Sequence, residues 1–236
     1  MKIVAVHSSP RPNNLSHTRV LLSAVRDYLH SRRPDWEFEA IALWGRRVSV
    51  CDGNGRCFRT DGCVFDDDAE QIIEQMLDAD GVILASPNYC ANVNSTMMTF
   101  VERTTRLSHR RLLTGKGALA LSTSASPFES THAADYLRRV LGSYGASVVD
   151  ACNVGSPMIV FDYGDSEHGR MMRRHVDDFI DAVADPRRHL PDESFGIDVR
   201  QQLRDNPEFA RRLFRSDATY FAEAERRGTT AHGTHQ

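Results

Sequence analysis

Five short apolar runs divide this chain, and the stretches between them carry apolar residues at helical spacing. Residues 2–6 (KIVAV), 36–43, 81–85 (GVILA), 118–121 and 147–152 read as strands. The first run closes on Ser8, Ser9 and Pro10 and the third on Ser86 and Pro87, as buried parallel strands do where they turn. After the first run, Leu21, Val25, Tyr28 and Leu29 repeat with a helical period until Pro34 stops the pattern. Asp66, Asp67 and Asp68 offer a cap and a negative first turn to a helix that buries Ala69, Ile72, Ile73, Met76 and Leu77. Three further helices follow. One points Val93, Met97, Phe100, Val101 and Thr104 inward, one covers 129–144, and one near 168–183 buries Met171, Met172, Val176, Phe179 and Ile180. Strands that alternate with helices in this way call for a parallel sheet with helices on both faces.

The fold class expected is therefore α/β, a doubly wound five-stranded parallel sheet of flavodoxin-like order, occupying residues 1–185. Beyond residue 185 the composition changes. Pro186 and Pro191 break the chain, and residues 186–227 read as a helical extension with apolar positions at Phe209, Leu213, Phe214, Tyr220, Phe221 and Ala224. Asp217 interrupts that stripe, so one helix or two short ones fit it. The extension is expected to pack on its own domain or on a partner subunit, with a flap over the active site as the alternative. Residues 228–236 read as a disordered tail.

Composition narrows the functional classes. Hydrophobic residues at 41% and charged residues at 26% allow a real core. A formal charge of −3 gives no basic excess for nucleic acid. No apolar run approaches the roughly 20 residues that span a bilayer, and the start MKIVAVHSSPRP lacks the pattern of a signal peptide. The 5 cysteines make a secreted disulfide framework improbable, so the expectation is a cytoplasmic protein.

The loop after the first strand, Ser8-Ser9-Pro10-Arg11-Pro12-Asn13-Asn14-Leu15-Ser16-His17-Thr18, leads straight into a helix. Free amides and the helix dipole face such a loop, Ser9, Ser16 and Thr18 add hydroxyls, and Arg11 adds a cationic fork. An ordinary N-capped turn with Ser16 as its cap is the alternative. The loop has neither the lysine of a Walker A motif nor a GxGxxG fingerprint. A monophosphate such as that of FMN is its natural guest.

This segment resembles the GSPRxxxNT phosphate loop of the NADPH-dependent FMN reductase family, which also includes quinone reductases and iron–sulfur flavoproteins. Ser9, Pro10, Arg11 and Thr18 fall on the pattern, and Ser8 stands where the family has glycine. Ser86-Pro87-Asn88-Tyr89-Cys90-Ala91-Asn92-Val93 resembles the family's SPxYxxxxS segment, with Asn94 at the place of the last serine. Phe100-Val101-Glu102-Arg103 resembles its FIDR, and Met98 stands where the family often has Lys. The resemblance implies FMN held at its phosphate by Ser9, Arg11, Ser16, His17 and Thr18. It implies a ring lined by Pro87, Asn88, Tyr89, Cys90, Ala91 and Asn92, with Ser122, Thr123 and Ser124 at the other edge. Ser122 to Pro127 is taken as a third loop.

Cys51, Cys57 and Cys63 lie in CDGNGRCFRTDGCVFDDD. This resembles the C-x-x-C-x-x-C…C…DD segment that holds a four-iron cluster in iron–sulfur flavoproteins, but Asn54 takes the second position. Four thiolates are the usual requirement, so the expectation is reduced thiols and no metal, with a Cys51–Cys57 disulfide left open. Arg103, Arg106, His109, Arg110 and Arg111 form a basic stretch read as a solvated helix end, or as a greeting for an NADPH phosphate. Function follows as NAD(P)H-dependent, FMN-mediated electron transfer to a small acceptor by a homo-oligomer. An electron carrier serving a protein partner, or a non-catalytic FMN-binding module, are the alternatives.

Overall fold

A computed structural model describes residues 1–12, 15–60, 62–125, 132–155, 167–186 and 199–227. Its first half alternates β1 (Lys2–His7), α1 (His17–Arg32), β2 (Glu37–Ala42), α2 (Asp68–Asp78) and β3 (Gly81–Tyr89). A two-residue strand β4 (Asn92–Val93) turns back on β3, and α3 (Ser95–Arg103) and α4 (Thr105–Arg110) follow. Then come β5 (Gly117–Ser124), α5 (His132–Ser143), β6 (Ser147–Gly155) and α6 (Glu167–Ala184). Three helices close the described chain: α7 (Val199–Asp205), α8 (Pro207–Leu213) and α9 (Arg215–Arg226).

The sheet runs β2-β1-β3-β5-β6, with every neighbouring pair parallel. The order reverses between β1 and β3, because the chain goes first to one side of β1 and then to the other. In such a sheet the connections leave a crevice at the carboxyl ends of these two strands. This is the flavodoxin-like architecture expected from the sequence, and its cause is visible in the side chains. Residues of β3 from Gly81 to Pro87 and all of β5 are buried, since both faces of the central strands are covered.

Period-two alternation sorts the core into two layers. Val4, Val6, Val82, Leu84, Ala118 and Ala120 face Ile72, Ile73 and Met76 of α2, Phe100 of α3 and Leu137 of α5. Ile3, Ala5, Ile83, Ala85, Leu119 and Leu121 face Leu21, Val25 and Leu29 of α1 and Val176, Phe179 and Ile180 of α6. The end of α6 presses on the start of β5. A Cβ on Gly117 would lie 2.6 Å from the amide nitrogen of Val183, so only glycine lets that helix sit so low.

Several boundaries differ from the sequence reading. β3 continues through Tyr89, β5 through Ser124 and β6 through Gly155. Parallel pairing does not need apolar side chains, and the ladder carries on with Ser86 opposite Ser122 and Pro87 opposite Thr123. Ser122, Thr123 and Ser124 are thus strand residues and not a loop. Ser126 and Pro127 lie outside the described residues, as do the start of the helix expected from 129 and the tail at 228–236. The helix expected to hold both Met97 and Thr104 breaks at Thr104, whose hydroxyl bonds the Val101 carbonyl at 2.7 Å and also meets the Tyr144 hydroxyl. The C-terminal stripe divides at Phe214 into α8 and α9, and α7 precedes them within the stretch read as a helical extension. Among the described residues no helix is long and apolar enough to cross a membrane.

Replacing Gly117 by Ala forces α6 off the sheet, and overpacking of this kind costs roughly 1–3 kcal/mol. Urea unfolding of Gly117→Ala is expected to show that loss with an unchanged m-value.

Candidate functional site

Three strand ends meet at the crevice. β1 ends in the serine loop, β3 in the Tyr89 hairpin and β5 in Ser124, and together they line a cavity of about 260 Å³. Its walls are Ser9, Arg11, His17 and Thr18 from the first loop and helix, Pro87, Asn88 and Tyr89 from β3, and Thr123, Ser124 and Ala125 from β5.

Buried hydroxyls tie these walls together. Ser16 caps α1, accepting from the Arg19 amide at 3.2 Å while its own hydroxyl donates to Ser9 Oγ at 2.7 Å. The Thr18 and Thr123 hydroxyls meet at 2.8 Å and join the first wall to the third. Behind β5, Ser122 donates to Asn153 Oδ1 at 2.6 Å, and Asn153 Nδ2 donates to Ser124 Oγ at 3.1 Å. Between β1 and β3, Ser8 Oγ donates to Ser86 Oγ at 3.1 Å, and Asn94 Nδ2 donates to the Ser8 carbonyl at 2.8 Å. Asn94 also caps α3 by accepting from the Met97 amide.

The tip of the β3–β4 hairpin is conformationally costly. Cys90 and Ala91 both have positive φ, 51° and 62°, in a two-residue turn that ordinarily selects Asn-Gly. A left-handed non-glycine residue costs on the order of 1 kcal/mol or more. Pairing of Asn88 with Val93 and of Tyr89 with Asn92 holds the turn in place.

The residues singled out in the sequence divide accordingly. Ser9, Arg11, His17, Thr18, Pro87, Asn88, Tyr89, Thr123 and Ser124 line the cavity. Ser16 is buried behind it as a cap, and Ser122 faces Asn153. Cys90, Ala91 and Asn92 lie on the exposed hairpin, with Asn92 Oδ1 accepting from the Val93 amide at 2.8 Å. Asn13 and Asn14 lie outside the described residues. Asn94 and Asn153 were missed as supports. Asn94 was legible as a cap before an apolar helix, whereas nothing local marked Asn153.

The basic stretch requires correction. Arg103 is buried, donating to Asp67 at 2.7 and 3.1 Å and to the Ser49 carbonyl at 2.8 Å. Burial alone would raise the Asp67 carboxyl, but the Arg103 guanidinium and the Ser49 and Ala69 amides outweigh it and hold it at about 2. Arg106 pairs with Glu70 and Glu74, and His109 and Arg110 both meet Asp217. Arg103, Arg106, His109 and Arg110 are therefore held in ion pairs and do not form a solvated helix end.

The fold and this crevice define a flavodoxin-like α/β protein with a serine-rich loop at the head of its first helix. The chain belongs to the NADPH-dependent FMN reductase family, whose sequence model matches residues 1–159. It is similar to an iron–sulfur flavoprotein of Archaeoglobus fulgidus, with 30% identity over 167 residues, 71% of this chain and 74% of that protein. An iron–sulfur flavoprotein of Methanosarcina thermophila is 30% identical over 127 residues, 53% of this chain and 64% of that one. An NADH:FMN oxidoreductase solved in its apo form superposes with a TM-score of 0.59 at 25% identity, covering 81% of this chain and 96% of that chain.

The donor set fits FMN. Buried hydroxyls and first-turn amides without intrahelical acceptors converge where a phosphate would sit. A four-thiolate cluster does not fit. Asn54 stands where the second cysteine would be, which leaves three thiols in the segment where four thiolates are needed. Cys152 is buried against Met172 with its thiol pushed up to about 12 by burial and then by Asp150.

Asn94→Ala removes a helix cap, worth about 1 kcal/mol, and leaves the buried Ser8 carbonyl without its donor, about 1–3 kcal/mol more. Thermal melts are expected to show that sum as a lowered Tm. His7, which ends β1, is buried and its Nδ1 has no hydrogen-bond partner among the described residues. Burial first and Arg19 second lower it to about 4. The unfolded chain takes up this proton below about pH 6.5, so stability is full above that value and falls by on the order of 3 kcal/mol as pH drops towards 4. Urea titrations from pH 7.5 to 4.5 check this, and His7→Gln is expected to flatten the slope.

Proposed function

We propose that this chain binds FMN in the crevice between β1, β3 and β5 and transfers electrons from NAD(P)H to a small acceptor. The carrying observation is the convergence of Ser9, Arg11, His17 and Thr18 on one wall and Thr123 and Ser124 on another, around a single cavity at the strand-order switch. Bound there, FMN supplies hydride and electron chemistry that no side chain of the protein can perform.

The residues of the chain have distinct tasks in this reading. The amides of His17 and Thr18, with the Ser9 hydroxyl and the Arg11 guanidinium, hold the phosphate. The backbone from Pro87 to Tyr89 borders the ring and tunes it through N–H groups. Thr123 and Ser124 close the opposite edge, fixed in direction by Thr18 and Asn153. Tyr89, exposed at 43%, stands at the rim and orients an acceptor over the ring. A quinone, free flavin, nitro or azo compound, or a pathway metabolite, is the class of acceptor that such a rim admits.

An electron carrier serving a protein partner is the second reading, favoured by the two relatives named as iron–sulfur flavoproteins. A net charge of −3 gives it little field for steering such a partner. A cytoplasmic homo-oligomer belongs to the first reading. The apolar face expected to meet a partner subunit is largely turned inward, since Phe214 and Phe221 are buried and only Phe209 stays exposed.

Protein loaded with FMN and desalted is expected to retain about one flavin per chain and to bleach anaerobically on addition of NADH or NADPH. Arg11→Ala is expected to weaken FMN binding by about tenfold, as loss of a charge-assisted contact does. Absence of retained flavin at micromolar protein overturns the assignment, and retention without bleaching points to the carrier.

A further inference from the structure

Residues 51–60 lie in the connection from β2 to α2, which leaves the carboxyl end of β2, the same end of the sheet as the crevice. Their local structure is a chain of side-chain turns. Asn54 Oδ1 accepts from the Arg56 amide at 2.9 Å and from Arg56 Nε at 3.1 Å, and Asn54 Nδ2 donates to Asp52. The amide that stands at a ligand position in the family is therefore engaged within the loop. Gly55 takes a positive φ of 65° and starts the short 3-10 turn Arg56–Phe58.

The far end of that turn is held from outside. The Phe58 ring lies 4.8 Å from the ring of His109 on α4 and 5.4 Å from Phe214, between α8 and α9. Ser216 donates to the Cys57 carbonyl at 3.3 Å and accepts from Arg110 Nη2 at 3.0 Å. Asp217 anchors the assembly. Its carboxylate, 1% exposed, accepts from Arg110 Nε at 2.7 Å and meets His109 Nδ1 at 3.0 Å. Phe58 also joins the small core of Val199, Ala210, Phe214 and Phe221, so the loop and the C-terminal helices share one apolar cluster.

We propose that the C-terminal helices, keyed by Asp217, order the cysteine loop of this chain in place of a four-thiolate iron–sulfur cluster, leaving Cys51, Cys57 and Cys63 as thiols. A carboxylate buried in an apolar cluster is tolerated only when paired. Asp217 meets its partners only if α9 docks on α4 in one register, and that register puts Ser216 on Cys57 and Phe214 on Phe58. In a loop rich in glycine and charge, this docking supplies the fixed points that a metal centre otherwise provides. The consequence, which rests on the flavin reading above, is that no one-electron relay is built beside the crevice.

The test uses the full chain, produced with iron and sulfide supplied and purified anaerobically. Iron, acid-labile sulfide and FMN are measured on one sample, and the reactivity of Cys57 is followed with a chromogenic thiol reagent and mass mapping. The wild type is expected to hold no iron or sulfide above background, with Cys57 slow to react. Asp217→Ala is expected to speed Cys57 labelling by at least about tenfold through local opening. Ser216→Ala, which deletes the contact to the loop and one of the Arg110 contacts but keeps the Asp217 ion pairs, is expected to give a smaller increase with an unchanged far-UV spectrum. Stoichiometric iron and sulfide in the wild type overturns the proposal. So does Cys57 reactivity that stays within about twofold of the wild type in both variants. Iron-free protein that also lacks flavin strikes at the FMN reading and leaves this one standing.

Discussion

The hydrogen bonds that join Ser8, Ser86 and Asn94 fix the two strand ends between which the crevice opens. β1 and β3 are neighbours in the sheet, yet their following segments leave towards different helices. Something must therefore satisfy the backbone groups where the ladder stops. Asn94 does so from the start of α3 by donating to the Ser8 carbonyl, while Ser86 accepts from the Asn94 amide at 3.2 Å. All three residues are buried, so each missing partner costs about 1–3 kcal/mol, more than each bond contributes net. Position follows from that asymmetry: the first helix, the hairpin and the third wall are all referred to this knot.

Charge is handled by the same rule on a larger scale. Arg103 and Asp67 are each 1% exposed in their side chains, and a guanidinium fork with two donors to one carboxylate is the geometry that makes such burial tolerable. Asp67 caps α2 as well, so this ion pair orients α2, α3 and the Ser49 carbonyl together. Asp217 repeats the device for the C-terminal helices with His109 and Arg110. Pairs of this kind add little net stability over apolar packing, but removing one partner costs about 3–5 kcal/mol. They set register, and register here means where the loops around the crevice lie.

The site itself combines a stiff floor with an awkward rim. Two separate hydrogen bonds, Thr18 with Thr123 and Asn153 with Ser124, hold the side chains of the cavity walls in fixed directions. The rim carries Cys90 and Ala91 in left-handed conformations that an Asn-Gly pair would adopt with less strain. Strain held by the flanking β3–β4 pairing is consistent with a hairpin whose shape matters more than its local comfort. Family membership through residues 1–159 covers all of these walls and stops short of the C-terminal helices, so the lock on the cysteine loop is built partly from chain that the family model does not reach.

Period-two and helical patterns report directly on which face of each segment is buried, so the sequence carried the alternation of strands and helices and the parallel sheet. It also determined the serine loop and the cap at Asp67, since both are local chemistry written within a few residues. The partners of distant polar side chains emerged only in the folded molecule. Asp217 looked like a flaw in an apolar stripe, and the arginines from 103 to 110 looked like a basic surface, because each partner lies elsewhere in the chain: Asp67 is 36 positions from Arg103 and Asp217 is 107 from Arg110. Asn153 was silent for the same reason, as was the pairing of Thr123 with Thr18. Apolar burial repeats along the chain and leaves a period, whereas a buried ion pair or hydroxyl bond is a single event between two points. Folding alone brings those points together.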